Sequence, residues 1–442
     1  MNLAKTLRVS QAPSIAFVGA GGKTTAMFRL ARELPPPVIV TASSHLGVWQ
    51  IPLADQHIIA NGLEDLNFVN EKPNGVWLVT GPIQENRTQP LDSPILEWLH
   101  ARCQKRSIPL LIEADGSRQK PLKAPAEHEP PIPEFVNTVV QVAGLSGLGK
   151  PLTERFVHRS EIFMRLSGLK ISETISIEAL AHVMLHPDGG LKNIPANARR
   201  VALLNQADTH ELQASAGKLA QMLLPTYDSV LIASLEQNEV YTAHEQTAGI
   251  VLAAGGSKRF GQTKQLLSWR GQPFVRVIAR TALEAGLSPV IVVTGADAEA
   301  VEKAVEDLPV QIVRNENWEE GQASSIRAGI TGLEFPLPQY VGSAIFLLAD
   351  QPQVTTAVIR ALVENHAAEL QPILAPMVID QRANPILFDR ETFADLLQLQ
   401  GDVGGRGIFS KHRVDYLPWH DDALLLDVDK PEDYPRLKEE LE

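Results

Sequence analysis

Apolar residues fall along this chain in short unbroken runs, and the stretches between some of them carry apolar positions at helical spacing. Ile15-Ala16-Phe17-Val18 has the length and branching of a buried strand. A glycine turn follows, and then Met27, Leu30, Ala31 and Leu34 recur on one helix face. Pro35-Pro36-Pro37 stops that helix, and Val38-Ile39-Val40 starts the next strand. Strand, glycine turn, helix and strand make a βαβ unit, which predicts a parallel sheet. The same grammar restarts at Gly249. Ile250-Val251-Leu252-Ala253-Ala254 predicts a strand, a glycine-rich loop follows, a helix runs through Val275, Ile278 and Leu283, and Val290-Ile291-Val292-Val293 is another strand. Between the two starts, Glu236 to Thr247 is polar with neither helical nor alternating period. The expected boundary lies there, near Gln246, giving two α/β domains over 1–245 and 246–442.

Composition narrows the class. A chain of 442 residues exceeds the usual single-domain size, and 44% apolar with 21% charged residues supplies sizeable cores. The net charge of −12 argues against a nucleic-acid footprint, which wants a basic face. Met1 to Pro13 holds no apolar signal core, and no stretch has the length and apolarity of a membrane span, so a cytoplasmic protein is expected. The one cysteine, Cys103, excludes an intrachain disulfide framework.

Candidate chemistry in the second half begins at Ala253-Ala254-Gly255-Gly256-Ser257-Lys258-Arg259-Phe260-Gly261, directly after a predicted strand. Glycines there let backbone N–H groups approach a polyphosphate, and Arg259 and Lys264 add fixed positive charge where a triphosphate under attack builds negative charge. Ala344 to Ala349 is an apolar strand running into Asp350-Gln351-Pro352. A carboxylate at a strand's carboxyl end suits Mg²⁺, which takes one or two carboxylates plus phosphate oxygens and waters. Asp427 and Asp429 alternate along an extended segment and share a face, so either could complete that metal site. Gly321 to Gly329, with Ser325 and Arg327 opening a helix, fits ribose or phosphate contacts. Gly401-Asp402 to Arg406 reads as a turn or an acceptor-side loop.

In that order, together with Asn384-Pro385 and Asp427 to Asp433, these residues resemble the MobA-like nucleotidyltransferase family, and within it the molybdenum cofactor cytidylyltransferases. The resemblance spans Gly249 to Glu442. It implies a GT-A-like Rossmannoid sheet and transfer of CMP from CTP to the terminal phosphate of molybdopterin, with release of pyrophosphate. Arg259, Lys264 and Asp350 would be catalytic. Ala253, Ala254, Gly255, Gly256, Ser257 and Ser325 would bind the nucleotide, and Asp350, Asp429 and Asp427 would hold Mg²⁺. The Ala253-Ala254-Gly255 form is similar to the CTP users. Gln381-Arg382-Ala383 departs from the family, which usually carries a glycine before the Pro.

In the first half, Gly19-Ala20-Gly21-Gly22-Lys23-Thr24 lies between predicted strand and helix. A phosphate-binding loop of the Gly-x₄-Gly-Lys-Thr kind would use Lys23 on phosphate oxygens and Thr24 on Mg²⁺, but Phe17 stands where its first glycine belongs. Leu110-Leu111-Ile112-Glu113-Ala114-Asp115 is an apolar strand ending in acids. Val201 to Asn205 continues into Gln206-Ala207-Asp208, an Asn-x-x-Asp arrangement that reads guanine in GTPases, with Gln206 in place of the usual lysine. With Pro121-Leu122-Lys123, Glu129-Pro130 and His158-Arg159, these residues resemble the YqeC family of selenium-dependent hydroxylase accessory proteins, over Leu7 to Leu235. That resemblance implies a P-loop-like module serving a molybdenum hydroxylase. Thr41-Ala42-Ser43-Ser44-His45 departs from the family's threonine and lysine run. Other readings stay open: guanylyl transfer to molybdopterin, a nucleotidyltransferase with a sugar or polyol phosphate acceptor, and a chaperone that only carries cofactor to a hydroxylase.

Overall fold

The computed structural model describes residues 1–9, 12–71, 74–256, 262–333, 340–426 and 433–434. The chain divides into two compact units, Met1–His244 and Glu245–Glu442. Both are α/β, as their hydrophobic pattern predicts.

Unit 1 contains, in chain order, β1 (Ser14–Gly19), α1 (Lys23–Glu33), β2 (Val38–Ala42), β3 (Gln56–Ile59), β4 (Val76–Thr80), α2 (Ser93–Arg106), β5 (Leu110–Glu113), β6 (Thr138–Gly144), α3 (Ser160–Ser167), α4 (Ile177–Leu185), β7 (Arg199–Asn205), α5 (His210–Leu223), β8 (Ser229–Ser234) and β9 (Glu239–Glu245). They form one nine-stranded sheet in the order β9-β8-β7-β6-β1-β5-β2-β4-β3. From β8 to β3 every pairing is parallel. Inner strands β1, β2, β5 and β8 are buried along their whole length, the expected state of parallel strands covered on both faces. The first βαβ unit is present, but β5 inserts between β1 and β2.

The polar stretch between the two βαβ starts is not an irregular linker: most of it is strand β9. It buries Val240, Ala243 and Glu245 and leaves the residues between them partly in water. A strand at the end of the sheet order needs only a thin apolar stripe, so it carries little of the pattern that marks a buried one. Cys103 on α2 packs in a core with Leu99, Ile108 and Val139, and burial pushes its thiol up to about 12.

Unit 2 contains β10 (Thr247–Ala253), α6 (Phe274–Glu284), β11 (Val290–Thr294), α7 (Ala298–Val305), β12 (Gln311–Arg314), α8 (Gln322–Gly332), β13 (Ser343–Leu348), α9 (Thr356–Glu369), β14 (Ile373–Val378), β15 (Gln381–Arg382), β16 (Ile386–Asp389) and β17 (Val414–Pro418). The sheet order is β12-β11-β10-β13-β16-β14-β15, with β17 on β14. β12, β11, β10 and β13 pair in parallel, whereas β16 is antiparallel to both β13 and β14. Alternate residues feed two cores: Val251, Val292 and Leu347 join one cluster, and Ile250, Ile291 and Phe346 the other. The chain builds β11 and β12 to one side of β10, then crosses through α8 to place β13 on the other side. The carboxyl ends of β10 and β13 therefore face the topological switch point, where open α/β sheets gather ligands. Among the described residues no helix is long and apolar enough to cross a membrane.

Candidate functional sites in the two units

In unit 2 a cleft of about 490 Å³ opens at that switch point. Ala254, Gly255 and Gly256, following β10, form one wall, and Leu348 and Asp350, at the end of β13, form another. Gln265 is buried and its Nε2–H donates to the Gly255 carbonyl at 2.8 Å, which fixes the loop's path. Lys264 sits in the short turn Lys264–Leu266 and brings Nζ to 3.4 Å from Asp350 Oδ2. The Asp350 side chain is 35% exposed, open enough to take a ligand while paired with a cation. The pair joins residues 86 apart in sequence. Arg259, Ser257, Asp427 and Asp429 lie outside the described residues. Among the described residues no three His, Cys, Asp or Glu side chains converge on one metal position. Among the described residues the donor set is a strand-end carboxylate beside a lysine, which suits a divalent cation carried in on phosphate oxygens.

The far wall comes from α8. Gly321 has φ +101°, and a Cβ there would run into the Gly401-Asp402 backbone, so glycine is required where these two turns touch. Asp402 Oδ1 accepts the Gln322 N–H at 3.3 Å, and Ala323 N–H donates to the Gly401 carbonyl at 3.2 Å. Both turns singled out in the sequence therefore meet at the start of α8. Ser325 is buried on the same wall, and its hydroxyl accepts from Asn315 Nδ2 at 3.1 Å. Trp318 and Glu319 also line this cleft, and nothing in their local sequence marks them.

Unit 1 carries a larger cleft of about 690 Å³ at the carboxyl end of β1. Gly21 has φ +85°, and a Cβ on it would strike the Gly144 backbone of β6, so the loop lies flat on the sheet's end. Lys23 and Thr24 open α1 into this cleft. The register pairs Phe17 with Glu113, which brings Glu113 Oε2 to 2.7 Å from the Thr24 hydroxyl, its donor. Thr24 Oγ1 also accepts from Gln50 Nε2 at 2.8 Å. Lys23 Nζ donates to the Gly19 carbonyl at 2.8 Å and lies 3.3 Å from Asp115 Oδ1. Asp115 Oδ2 meets Lys123 Nζ at 2.8 Å; Lys123 meets Glu129 at 2.8 Å; Arg159 grips Glu129 through two bonds of 2.6 and 2.8 Å.

This chain of alternating charges sits under the glycine loop, largely out of water. Burial raises the Glu113 carboxyl against the pull of Lys23 and Thr24. Burial also works to raise Glu129, but the Arg159 and Lys123 contacts outweigh it and hold its carboxyl down at about 2. Burial, with Arg159 and Lys123 close by, lowers His158 to about 4, so its ring is neutral near pH 7. Gly19, Gly21, Gly22, Lys23 and Thr24 are thus brought together with the acids of β5. Lys123, Glu129 and Arg159 stand in segments that carried the family resemblance without a role, whereas Gln50 carries no local signal, because contacts between distant segments place it.

Over residues 15–161 the chain matches the family described as YqeC protein, and over residues 249–416 the MobA-like NTP transferase domain. The uncharacterized protein YqeC of Escherichia coli strain K12 is 32% identical over 221 residues, covering 47% of this chain and 82% of that protein. Nicotine blue oxidoreductase of Paenarthrobacter nicotinovorans is 31% identical over 202 residues, covering 43% of this chain and 95% of that protein. A probable molybdenum cofactor guanylyltransferase of Bacillus mycoides is 28% identical over 206 residues, covering 44% of this chain and 96% of that protein.

Proposed function

Because this chain belongs to the YqeC family through its first half and to the MobA-like NTP transferase family through its second, we propose that unit 2 transfers CMP from CTP to the terminal phosphate of molybdopterin, releasing pyrophosphate. The observation that carries this reading is the meeting of Lys264 and Asp350 where β10 and β13 end. The acceptor phosphate is already an anion, so its oxygen attacks the α-phosphorus without a general base. A bond forms between that oxygen and the α-phosphorus, the α–β bridging bond breaks, and pyrophosphate leaves with the electron pair. Asp350 would hold Mg²⁺, which would supply positive charge to the phosphate oxygens. Lys264 aligns and neutralises the triphosphate, and the Gly255 loop presents backbone N–H groups to it. Arg259 adds a second cation in this reading, with Asp429 and Asp427 as further metal ligands.

Unit 1 is read as a Mg²⁺–nucleotide binder that serves the same cofactor's delivery to a molybdenum hydroxylase. The Thr24–Glu113 pair supports it: a hydroxyl and a carboxylate held 2.7 Å apart beside a glycine loop are the donors such a metal takes. The domain limits proposed with this division are 1–245 and 246–442.

The test is pyrophosphate release from CTP and GTP with pterin and sugar phosphate acceptors. CTP with a pterin acceptor should turn over, and Asp350→Asn should lower the rate on the order of 100-fold, the usual scale for losing one group that stabilises transition-state charge. No turnover with any pterin acceptor would sink the proposal. Turnover with GTP alone would move it to guanylyl transfer, the reading that the name of the Bacillus mycoides relative favours.

A further inference from the structure

We propose that the unit 1 cleft is specific for a guanine nucleotide, with the Asp208 carboxylate accepting the N1–H and the exocyclic N2–H of the base. This rests on the reading of the glycine loop as a phosphate site and adds the base that accompanies those phosphates.

Asn205 is the last residue of β7, and its side-chain amide is buried and used at both ends. Nδ2–H donates to the Gly21 carbonyl at 2.7 Å, and Oδ1 accepts the Leu235 N–H at 3.0 Å. One side chain thus pins the phosphate loop to the end of β7 and to the turn after β8. The segment after Asn205 must therefore start at the edge of the phosphate site. Gln206, at φ +64°, lines the same cleft as Gly21 to Thr24, and Ser146 holds its amide by a 2.6 Å hydroxyl bond to Oε1. Ala207 is buried, its N–H tied to the Ala233 carbonyl at 3.0 Å.

Asp208 comes next, exposed, with its Oδ1 accepting the Ser234 hydroxyl. That bond orients the carboxylate and uses only one of its acceptor positions. Among the described contacts Asp208 meets no cation, although Lys23, Arg87, Arg118, Lys120 and Arg159 line the cleft that Gln206 enters. Asp208 stands outside the lining of that cleft, two residues past Gln206, and an oriented, exposed carboxylate is fitted to accept N–H donors. Two adjacent donors match its two oxygens best. Guanine presents N1–H and N2–H side by side. Adenine presents a ring-nitrogen lone pair at N1, which the carboxylate repels. Gln206, where a lysine would be expected, lies in the same cleft as a neutral amide.

The test is equilibrium binding of Mg²⁺ with GTP, ATP and XTP to the full chain, counting as unit 1 binding only the component that Thr24→Val removes. GTP should bind at least tenfold tighter than ATP. Asp208→Asn should weaken GTP at least tenfold and strengthen XTP, because an amide donates to the C2 carbonyl of xanthine while accepting its N1–H. A gain of this kind cannot come from a misfolded variant. ATP binding as tightly as GTP, with Asp208→Asn changing neither, would overturn the base assignment and leave the phosphate reading standing. If no nucleotide shows a component that depends on Thr24, the phosphate reading fails and this proposal with it.

Discussion

His158 is held beside Lys123 and Arg159, and burial together with those cations lowers its pKa from 6.5 to about 4. Between those two values the unfolded chain binds a proton that the folded chain refuses, so stability is full above pH 6.5 and is lost as pH falls toward 4. Glu113 acts in the opposite sense: its raised carboxyl makes the folded state lose ground as pH climbs above 4.5. Removing one group separates them. His158→Gln should shift the urea midpoint less between pH 7 and pH 5 than the parent chain does, and an equal shift in both would refute the assignment. Glu129, held at about 2, adds a further loss between pH 4.5 and 2, because protonating it takes from Arg159 the carboxylate it grips and leaves Lys123 with Asp115 alone of its two acids. At this scale Lys23, Thr24, Glu113 and Asp350 were legible as residues gathered at strand ends, where they line the two clefts, because glycine loops and strand-terminal acids are local signals. The sequence hid Gln50 and Trp318, whose places in the clefts depend on segments folded against them from elsewhere in the chain.

Element boundaries at the sites follow from backbone constraints that a few residues impose. The start of α8 depends on Gly321, with φ +101° and ψ −178°, a conformation that only glycine holds at ease. Gly321→Ala should destabilise unit 2 by about 2 kcal/mol, from strain and from contact with Asp402. Hydrogen exchange resolved by unit would show faster opening of β10 and β13 with β1 and β5 unchanged; equal change in both units would count against it. Among the elements, β1, β2, β5, β10, β11 and β13 were legible because strands buried on both faces read as continuous apolar runs. β9 was not, since Glu239, Thr242 and His244 keep contact with water. The placement of β5 between β1 and β2 was equally hidden, because pairing order belongs to the sheet and not to any one segment.

Across the described residues, each core cluster draws its members from one unit: those around Phe163 and Leu99 from Met1–His244, and those around Val251, Ile250 and Trp269 from Glu245–Glu442. Each unit has a sheet that closes its own backbone hydrogen bonds, so each meets the criteria for an independent folding unit. Fragments 1–245 and 246–442, expressed separately, should each show a cooperative thermal transition, and the second should retain pyrophosphate release. A fragment 246–442 that stays unfolded by circular dichroism would contradict this. The restart of the βαβ grammar at Gly249 made a second sheet legible, since a second glycine loop at a strand's end implies one.

Cys103 turns one of those cores into its own reporter. It is the chain's only thiol, fully buried on α2, with a pKa of about 12 that leaves almost no thiolate while the unit is closed. A maleimide can therefore capture it only when the surrounding core parts. The labelling rate then times how often unit 1 opens, free of any signal from unit 2. Adding a nucleotide that lodges on the glycine loop should lengthen that interval, so occupancy of the loop can be clocked from a sulfur atom in the core of the same unit.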